Sequence, residues 1–404
     1  MFFVGVDWAS RAHELCVVDD GGKVIEQFGF GHSERGISGA LARRAKLAPP
    51  DQLPVAIERP DGLLVDRLLE AGHEVVPIHA NALHAARPRW EGAGSKSDLG
   101  DAYRLADLLR RDRHRLRPPR PLDQATRELQ ALVRLRDDHV RARVAATNQL
   151  AALLAQHWPG AAAIFARLDS EIALAFLERY PTPQSSTRLG EARLDAFLRR
   201  HSYCGRRSPS DLLARLREAP QPVHALDPEI VAERVLAQVR LVRTLLQTIA
   251  DLDRAIAATV DQHAKAQILR ALPRVGTINL GQLVAEVGPL LERTTSADQA
   301  AALCGAAPIT KRSGQQRSVA FRYATNTRAR KAITLYADNS RRASPWAERI
   351  YRDARARGCR HAHATRILAR AWLRVIYACW HTDNPYDPER RRGRERDLAA
   401  MTLT

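Results

Sequence analysis

The chain has 404 residues, 45% of them hydrophobic, which is too long for one ordinary domain and apolar enough to bury more than one core. Its formal net charge of +18 favours a polyanionic partner, because each neutralised phosphate releases condensed counterions, and nucleic acid is the first candidate. No stretch approaches the ~18 apolar residues of a membrane span, no charged-then-apolar leader opens the chain, and five scattered cysteines without C-x-x-C spacing indicate neither a disulfide framework nor a zinc ribbon, so a cytoplasmic protein with no membrane association is expected.

Taken in chain order, Phe2 to Val6, Glu14 to Val18 and Val24 to Phe28 read as strands, the last two joined by the hairpin turn Asp19-Asp20-Gly21-Gly22. Ile37 to Ala45 reads as helix, Val55 to Ile57 as strand, Leu63 to Ala71 as helix closed by Gly72, and Glu74 to Ile78 as strand. Asp98 opens a helix through Leu109, with Tyr103, Ala106, Leu108 and Leu109 behind its acids. Three antiparallel strands followed by alternating helices and strands is the order of the ribonuclease-H-like fold, in which acids collect at the ends of central strands. An actin-like phosphotransferase shares that order, but the Gly-rich phosphate loops it needs are missing.

The run Arg117-Pro118-Pro119-Arg120-Pro121 ends this unit. A long amphipathic helix is expected from about Gln124 to His157, interrupted by Trp158-Pro159-Gly160. A second, from Pro228 to about Ala264, carries Val242, Leu245, Ile249, Leu252 and Ile256 at alternating spacings of three and four, with Asp227 as its cap. The two can pair as an antiparallel coiled coil, form a dimer seam, or pack on globular domains. Between them, Thr182 to Ser186 reads as loop followed by helix. Leu272-Pro273-Arg274-Val275-Gly276-Thr277, leading into Leu280 to Val287, is similar to half of a helix-hairpin-helix or to a plain αα-hairpin. The resulting division is an α/β domain over 1–120, a helical coiled-coil region over 121–265, a mainly helical C-terminal domain over 266–385 and a basic tail over 386–404. From Lys311 to Asp397 there are 22 basic and 8 acidic side chains, most of the positive surplus.

Four acids carry the chemistry. Asp7 ends the apolar run Phe2 to Val6, Glu58 ends Val55 to Ile57, and Asp98 and Asp101 stand three apart at a helix start, so that both can share one face. Phosphodiester cleavage needs a nucleophilic oxygen, stabilisation of charge at phosphorus and help for the leaving oxygen, which two metal ions roughly 3.5 to 4 Å apart supply. Magnesium takes oxygen ligands and keeps several waters, so these carboxylates suffice without histidine or cysteine. Singly, each acid reads as a cap, a first-turn dipole partner or a surface charge. Lys96, two residues before Asp98, reads either as a phosphate contact or as a solvated loop lysine.

A second constellation runs from Gly305 to Ser318. Ser313 stands there among Lys311, Arg312 and Arg317, cations suited to stabilising an alkoxide and an attacked phosphate, although a loop serine is more often a turn residue. Cys359, His361 and His363 form a C-x-H-x-H cluster before a helix from Ile367 to Trp380, but no matching second ligand pair exists and no metal is expected there.

Several of these segments together resemble one family, the DEDD-type insertion-sequence transposases of the IS-one-ten (IS110) family. Val4-Gly5-Val6-Asp7-Trp8-Ala9-Ser10 looks like its first motif, Ile57-Glu58-Arg59-Pro60 its second, and Ser95 to Ala102 its third; Pro273 to Thr277 resembles the start of its C-terminal transposase domain, and Cys304 to Pro308 through Ser313-Gly314 the segment that holds its serine. The resemblance covers most of the chain. It implies a RuvC-like domain holding magnesium, or manganese in its place, through Asp7, Glu58, Asp98 and Asp101, joined by a coiled coil to a domain whose Ser313 attacks DNA and forms a transient serine-phosphate link. It further implies excision and insertion through a circular intermediate, a structured guide RNA that bridges donor and target DNA, a homo-oligomer (dimer or tetramer) and a bacterial, nucleoid-associated location. Lys96, Lys311, Arg312, Arg317, Arg322 and Arg328 are the expected nucleic-acid contacts. The pattern departs at Arg322-Tyr323-Ala324-Thr325-Asn326, where the family commonly shows a lysine and a glycine before the asparagine, and Ser318 is the fallback nucleophile. Two other readings compete: a RuvC-type structure-selective endonuclease that hydrolyses DNA with the acids alone, and a non-catalytic nucleic-acid-binding remnant.

Overall fold

A computed structural model describes residues 1–59, 62–90, 98–116, 122–220, 226–313 and 316–389. The chain divides into two units, Met1–Asp123 and Gln124–Thr404.

The first unit is built on five strands, β1 (Phe2–Trp8), β2 (Ala12–Asp19), β3 (Val24–Gly31), β4 (Val55–Ile57) and β5 (Val75–Pro77), in the order β3-β2-β1-β4-β5. β2 runs antiparallel to both β1 and β3; β4 runs parallel to β1, and β5 to β4. Alternation along the strands sends successive side chains to opposite faces. Val4, Val6, Leu15, Val17, Val55 and Ile57 pack against α1 (Glu34–Ala45) and α2 (Leu63–Glu70). Phe3, Cys16, Val18, Ala56 and Val76 pack against α3 (Ala80–Ala86) and α4 (Asp98–Asp112). A mixed sheet covered by helices on both faces, in this strand order, fits a ribonuclease-H-like domain.

Gly5 sets the depth at which α4 lies on the sheet. A Cβ at that position would stand 2.0 Å from the Ala102 carbonyl oxygen and 2.5 Å from the Ala106 nitrogen, so only a residue without a side chain lets the helix backbone come this close. The far end of α4 is pinned by the fully buried Asp107, which accepts from Trp90 Nε1 at 2.9 Å, Arg110 Nη2 at 2.6 Å and Arg111 Nε at 3.2 Å. Burial alone would raise this carboxyl's pKa, but the hydrogen bonds from Arg110, Trp90 and Arg111 hold it below its ordinary value.

The second unit is mainly helical. α5 (Gln124–His157) is followed by the shorter α6 (Pro159–Ile164), α7 (Glu171–Arg179), α8 (Glu191–Arg200) and α9 (Pro209–Glu218) and then by α10 (Pro228–Gln262). α5 and α10 pack antiparallel: Thr126 Oγ1 meets His263 Nε2 at 3.0 Å near one end, and Arg234 Nη1 lies 3.3 Å from His157 Nε2 near the other. Asp227 caps α10 by accepting from the Glu229 N–H, with Pro228 in the first turn. The pair joins two hydrophobic clusters. One gathers Leu150, Leu154, Val235 and Val239 with α6 to α9, and the other gathers Leu129, Val133, Ile256 and Val260 with the C-terminal helices.

Those helices are α11 (Ala264–Leu269), α12 (Thr277–Gln282), α13 (Gly288–Glu292), α14 (Ala297–Leu303), α15 (Thr327–Ser340), α16 (Pro345–Ala356) and α17 (His361–Thr382). In the turn between α11 and α12 the left-handed residue is Arg274 (φ 57°), whereas Gly276 is extended (φ −78°). From α12 the chain runs through a five-residue π-helical stretch, Leu283–Val287, into α13. Pro289 has no N–H to offer this ladder, and the Ala285 carbonyl is served from α5 by Gln130 Nε2 at 2.8 Å.

Two sequence expectations are corrected here. The segment around Ser313 is an antiparallel hairpin, β6 (Ile309–Ser313) and β7 (Gln316–Ala320), set into an otherwise helical region. The last helix begins at His361 rather than near Ile367, so that His361 and His363 lie in its first turn, and Tyr351 Oη stands 2.9 Å from His361 Nδ1.

Candidate active site

Three of the four expected acids are brought together. Asp7 lies on β1 two residues beyond Gly5, and Glu58 follows β4 directly after Ile57, which is paired with Val6 across the parallel ladder. By alternation Asp7 shares a face with Phe3 and Gly5, and Glu58 shares one with Ala56, so both project to the α4 side of the sheet. Asp101 precedes Ala102, the residue whose carbonyl rests on Gly5. Asp7, Glu58 and Asp101 line one cavity of about 720 Å³, together with residues of α3 and the β1–β2 turn. Asp98 is the first residue of α4; its side chain and the whole of Lys96 lie outside the described residues.

A fourth carboxylate in this cavity escaped the sequence reading. Glu14 on β2 is the direct partner of Asp7 in the antiparallel register and lines the same cavity. Glu14, Asp7 and Glu58 thus form a row across β2, β1 and β4, where neighbouring strands lie about 4.8 Å apart. The register that pairs Phe2 with Asp19 also pairs Asp7 with Glu14, so the strand pairing carried the signal.

Electrostatics in the cavity are partly compensated. Arg104 Nη1 donates to Asp101 Oδ1 at 2.7 Å. Arg59, next to Glu58, lies over the Trp8 ring at 4.3 Å. The β1–β2 turn is held by His13, only 1% exposed, whose Nδ1 accepts from the Ala9 N–H at 3.3 Å and whose Nε2 stands 2.8 Å from His32 Nδ1. The Ala9 contact requires an unprotonated Nδ1, which leaves the proton on Nε2. Burial, with the neighbouring His32, pushes the His13 pKa down to about 4. Among the described residues, no three His, Cys, Asp or Glu side chains cluster tightly enough to hold one ion. The donor set, all carboxylate oxygens, nonetheless suits a hard divalent cation.

The second constellation sits on the hairpin. Ser313 ends β6, exposed, opposite Gln316, and Ser318, exposed on β7, pairs with Lys311 across the ladder. Arg312, exposed and adjacent to Ser313, alternates to the opposite face of the hairpin. The side chains of Lys311 and Arg317 lie outside the described residues. Arg322 reaches the carbonyls of Ala307 and Pro308 at 3.4 Å each, and Arg328 Nη2 lies 3.8 Å from Asp138. Asn326 caps α15, its Oδ1 accepting from the N–H groups of Arg328 and Ala329 at 3.0 Å. Among the described residues no helix is long and apolar enough to cross a membrane.

Comparison with known proteins gives the class and then the family. A family model described as Transposase, of the DEDD type, matches residues 4–159, and together with a putative transposase similar over nearly the full chain it makes this chain a DNA transposase, an enzyme of phosphodiester transfer. A second model, described as Transposase IS116/IS110/IS902 family, matches residues 266–352. The mini-circle putative transposase for IS117 of Streptomyces coelicolor is 31% identical over 96% of this chain and 96% of its own length. The IS900 uncharacterized 42 kDa protein of Mycobacterium paratuberculosis is 30% identical over 96% and 97%. The IS110 uncharacterized 43.6 kDa protein of S. coelicolor is 26% identical over 97% of both chains. The chain belongs to the IS110/IS116/IS902 family of transposases.

Proposed function

We propose that this transposase excises and inserts an insertion sequence with Asp7, Glu58, Asp98 and Asp101 as the ligands of magnesium or manganese and Ser313 as the nucleophile. The observation that carries the reading is the convergence of Asp7, Glu58 and Asp101 on one cavity at the C-terminal end of β1 and β4. A divalent cation held there supplies charge stabilisation to the phosphate oxygens. Asp7 and Glu58 offer their carboxylates from rigid strands, and Asp101 from a helix whose depth Gly5 fixes. Ser313, exposed at the end of β6, attacks phosphorus; the new oxygen–phosphorus bond replaces the bond to the leaving strand, which departs with its hydroxyl. The link conserves the energy of the broken bond, so a second strand can be joined without a further energy source. The surplus of cations between Lys311 and Asp397 supports binding of two DNA duplexes and a structured guide RNA by a homo-oligomer, with Lys96, Lys311, Arg312, Arg317, Arg322 and Arg328 as phosphate contacts.

One experiment tests both halves. Excision of a donor element is followed on denaturing gels for the wild type, Asp101→Ala and Ser313→Ala. The expected result is a trapped protein–DNA adduct for the wild type, and no adduct and no excision for Ser313→Ala. Asp101→Ala should lose excision while retaining nucleic-acid binding. Undiminished excision by Asp101→Ala would remove the metal-site assignment; strand cleavage by Ser313→Ala without an adduct would point to hydrolysis by the acids alone. An adduct that persists in Ser313→Ala and disappears in Ser318→Ala would move the nucleophile to Ser318.

A further inference from the structure

At the base of the β6–β7 hairpin lies a second cavity, of about 410 Å³, bounded by Gly305 to Pro308, by Phe321 and Arg322 after β7, and by His363, Arg366 and Arg370 on α17. Its lining includes three arginines and a histidine and no acid. Arg370 is partly neutralised, since Asp298 accepts from it at 3.0 Å while also taking Arg374 at 3.3 Å. Among the described residues, the Arg322 guanidinium makes two long contacts to carbonyls and no ion pair. Arg366 is different: among the described residues its guanidinium has no hydrogen-bond or ion-pair partner and is held over the Phe321 ring at 4.7 Å. Arg330 stands over the same ring at 4.6 Å, so two like charges share one aromatic clamp. Burial and the Arg330 charge both weaken the hold of Arg366 on its proton, a cost that a bound anion would relieve. Val319 in the lining is 63% exposed, and Tyr323, whose ring lies 4.8 Å from that of Phe321, is 81% exposed, an aromatic face of the kind on which nucleotide bases stack.

We propose that this cavity is a subsite for a phosphodiester group of a nucleic-acid strand, with Arg366 and Arg322 as its hydrogen-bond donors and Phe321 as the wall that orients Arg366. The proposal rests on the reading of this chain as a nucleic-acid-binding transposase and adds to it a residue, Arg366, and a place. Ser313 lies four residues along β6 from Ile309, roughly 13 Å at the rise of an extended strand, or about four stacked nucleotides. The subsite would thus grip the strand a few nucleotides from the serine, fixing which phosphate lies at the hairpin end.

The test uses the full-length chain and fluorescein-labelled single-stranded 20-mers of DNA and of RNA with one sequence, titrated by anisotropy at several salt concentrations. Arg366→Gln is expected to weaken binding at least about ten-fold, the worth of one charged hydrogen bond, and to reduce the salt slope by about 0.7, one phosphate contact. Arg366→Lys should keep the slope and lose only part of the affinity. A loss with both strands assigns the shared phosphate backbone, and a loss with one alone assigns that strand as the ligand. Unchanged affinity and slope in Arg366→Gln and in Phe321→Leu, or a loss no larger than that of the exposed Arg357→Gln, overturns the subsite while leaving the transposase reading intact. A wild type that binds neither strand in a salt-dependent way overturns the nucleic-acid reading itself.

Discussion

Arg104 and Asp101 form a buried ion pair one turn apart on α4, with an Nη1–Oδ1 distance of 2.7 Å and side chains 8% and 9% exposed. The carboxylate proposed to hold a cation is therefore already paired with one that belongs to the chain. The Arg104 guanidinium donates to one oxygen of the Asp101 carboxylate.

Removing Arg104 takes a charged donor away from a buried carboxylate. Arg104→Ala is expected to lower the stability of the first unit by about 3 kcal/mol, the low end for breaking a buried pair from one side. Added Mg²⁺ should restore part of the loss, because a ligand that binds only the folded state stabilises it. Thermal melts with and without Mg²⁺ check this; a variant that melts with the wild type and ignores the ion would refute it.

Gly5→Ala should be more damaging than its one added carbon suggests. The new Cβ meets helix backbone at Ala102 and Ala106, which cannot swing aside as a side chain can, so α4 must move. A loss of about 3 kcal/mol is expected, at the upper end of overpacking, together with loss of excision as Asp101 shifts away from Asp7. Circular-dichroism melting and the excision assay check the two effects. Wild-type stability in this variant would show that the helix has room.

His13 sets a pH dependence whose sign is determined. Its folded pKa of about 4 lies below the ordinary 6.5, so between these values the unfolded chain binds more protons and stability rises with pH. The stabilisation is complete above about pH 6.5 and is lost as pH falls toward 4, amounting to roughly 2 kcal/mol by pH 5. Urea midpoints at pH 7 and pH 5 for the wild type and His13→Gln measure it. Equal losses in the two proteins would assign the acid sensitivity to other groups.

The sequence was most informative where local pattern and tertiary packing agree. The spacing of apolar residues and the flanking Trp158-Pro159 and Asp227-Pro228 signals place α5 at Gln124–His157 and the start of α10 at Pro228; its end falls at Gln262, two residues before the expected Ala264, where α11 begins. β1 to β3 follow from β-branched runs and one turn. The β6–β7 hairpin was not legible because Ser318, Val319 and Ala320 are all exposed: a ladder with no fully buried side chain among its described residues needs no apolar alternation. The start of α17 was missed for a related reason, since its first turn, His361 to His363, is exposed and the buried stripe begins only at Ala364. Of the cavity acids, Asp7 and Glu58 stand out because each ends an apolar run, and Asp101 because it stands three residues after Asp98 at a helix start. Glu14 does not, lying inside a strand whose pairing must be known before its neighbour is.

The antiparallel pair α5 and α10 also acts as a phase lock. Leu129 and Val133 serve one hydrophobic cluster and Leu150 and Leu154 the other, along a single uninterrupted helix. One residue inserted between Val133 and Ala146 would turn everything beyond it by about 100°, aiming one cluster's side chains at solvent while the other stayed packed. Length changes in this strut can be inherited only in near-whole heptads and only when α10 changes with α5, so the spacing between the two cores is among the least adjustable dimensions of the protein.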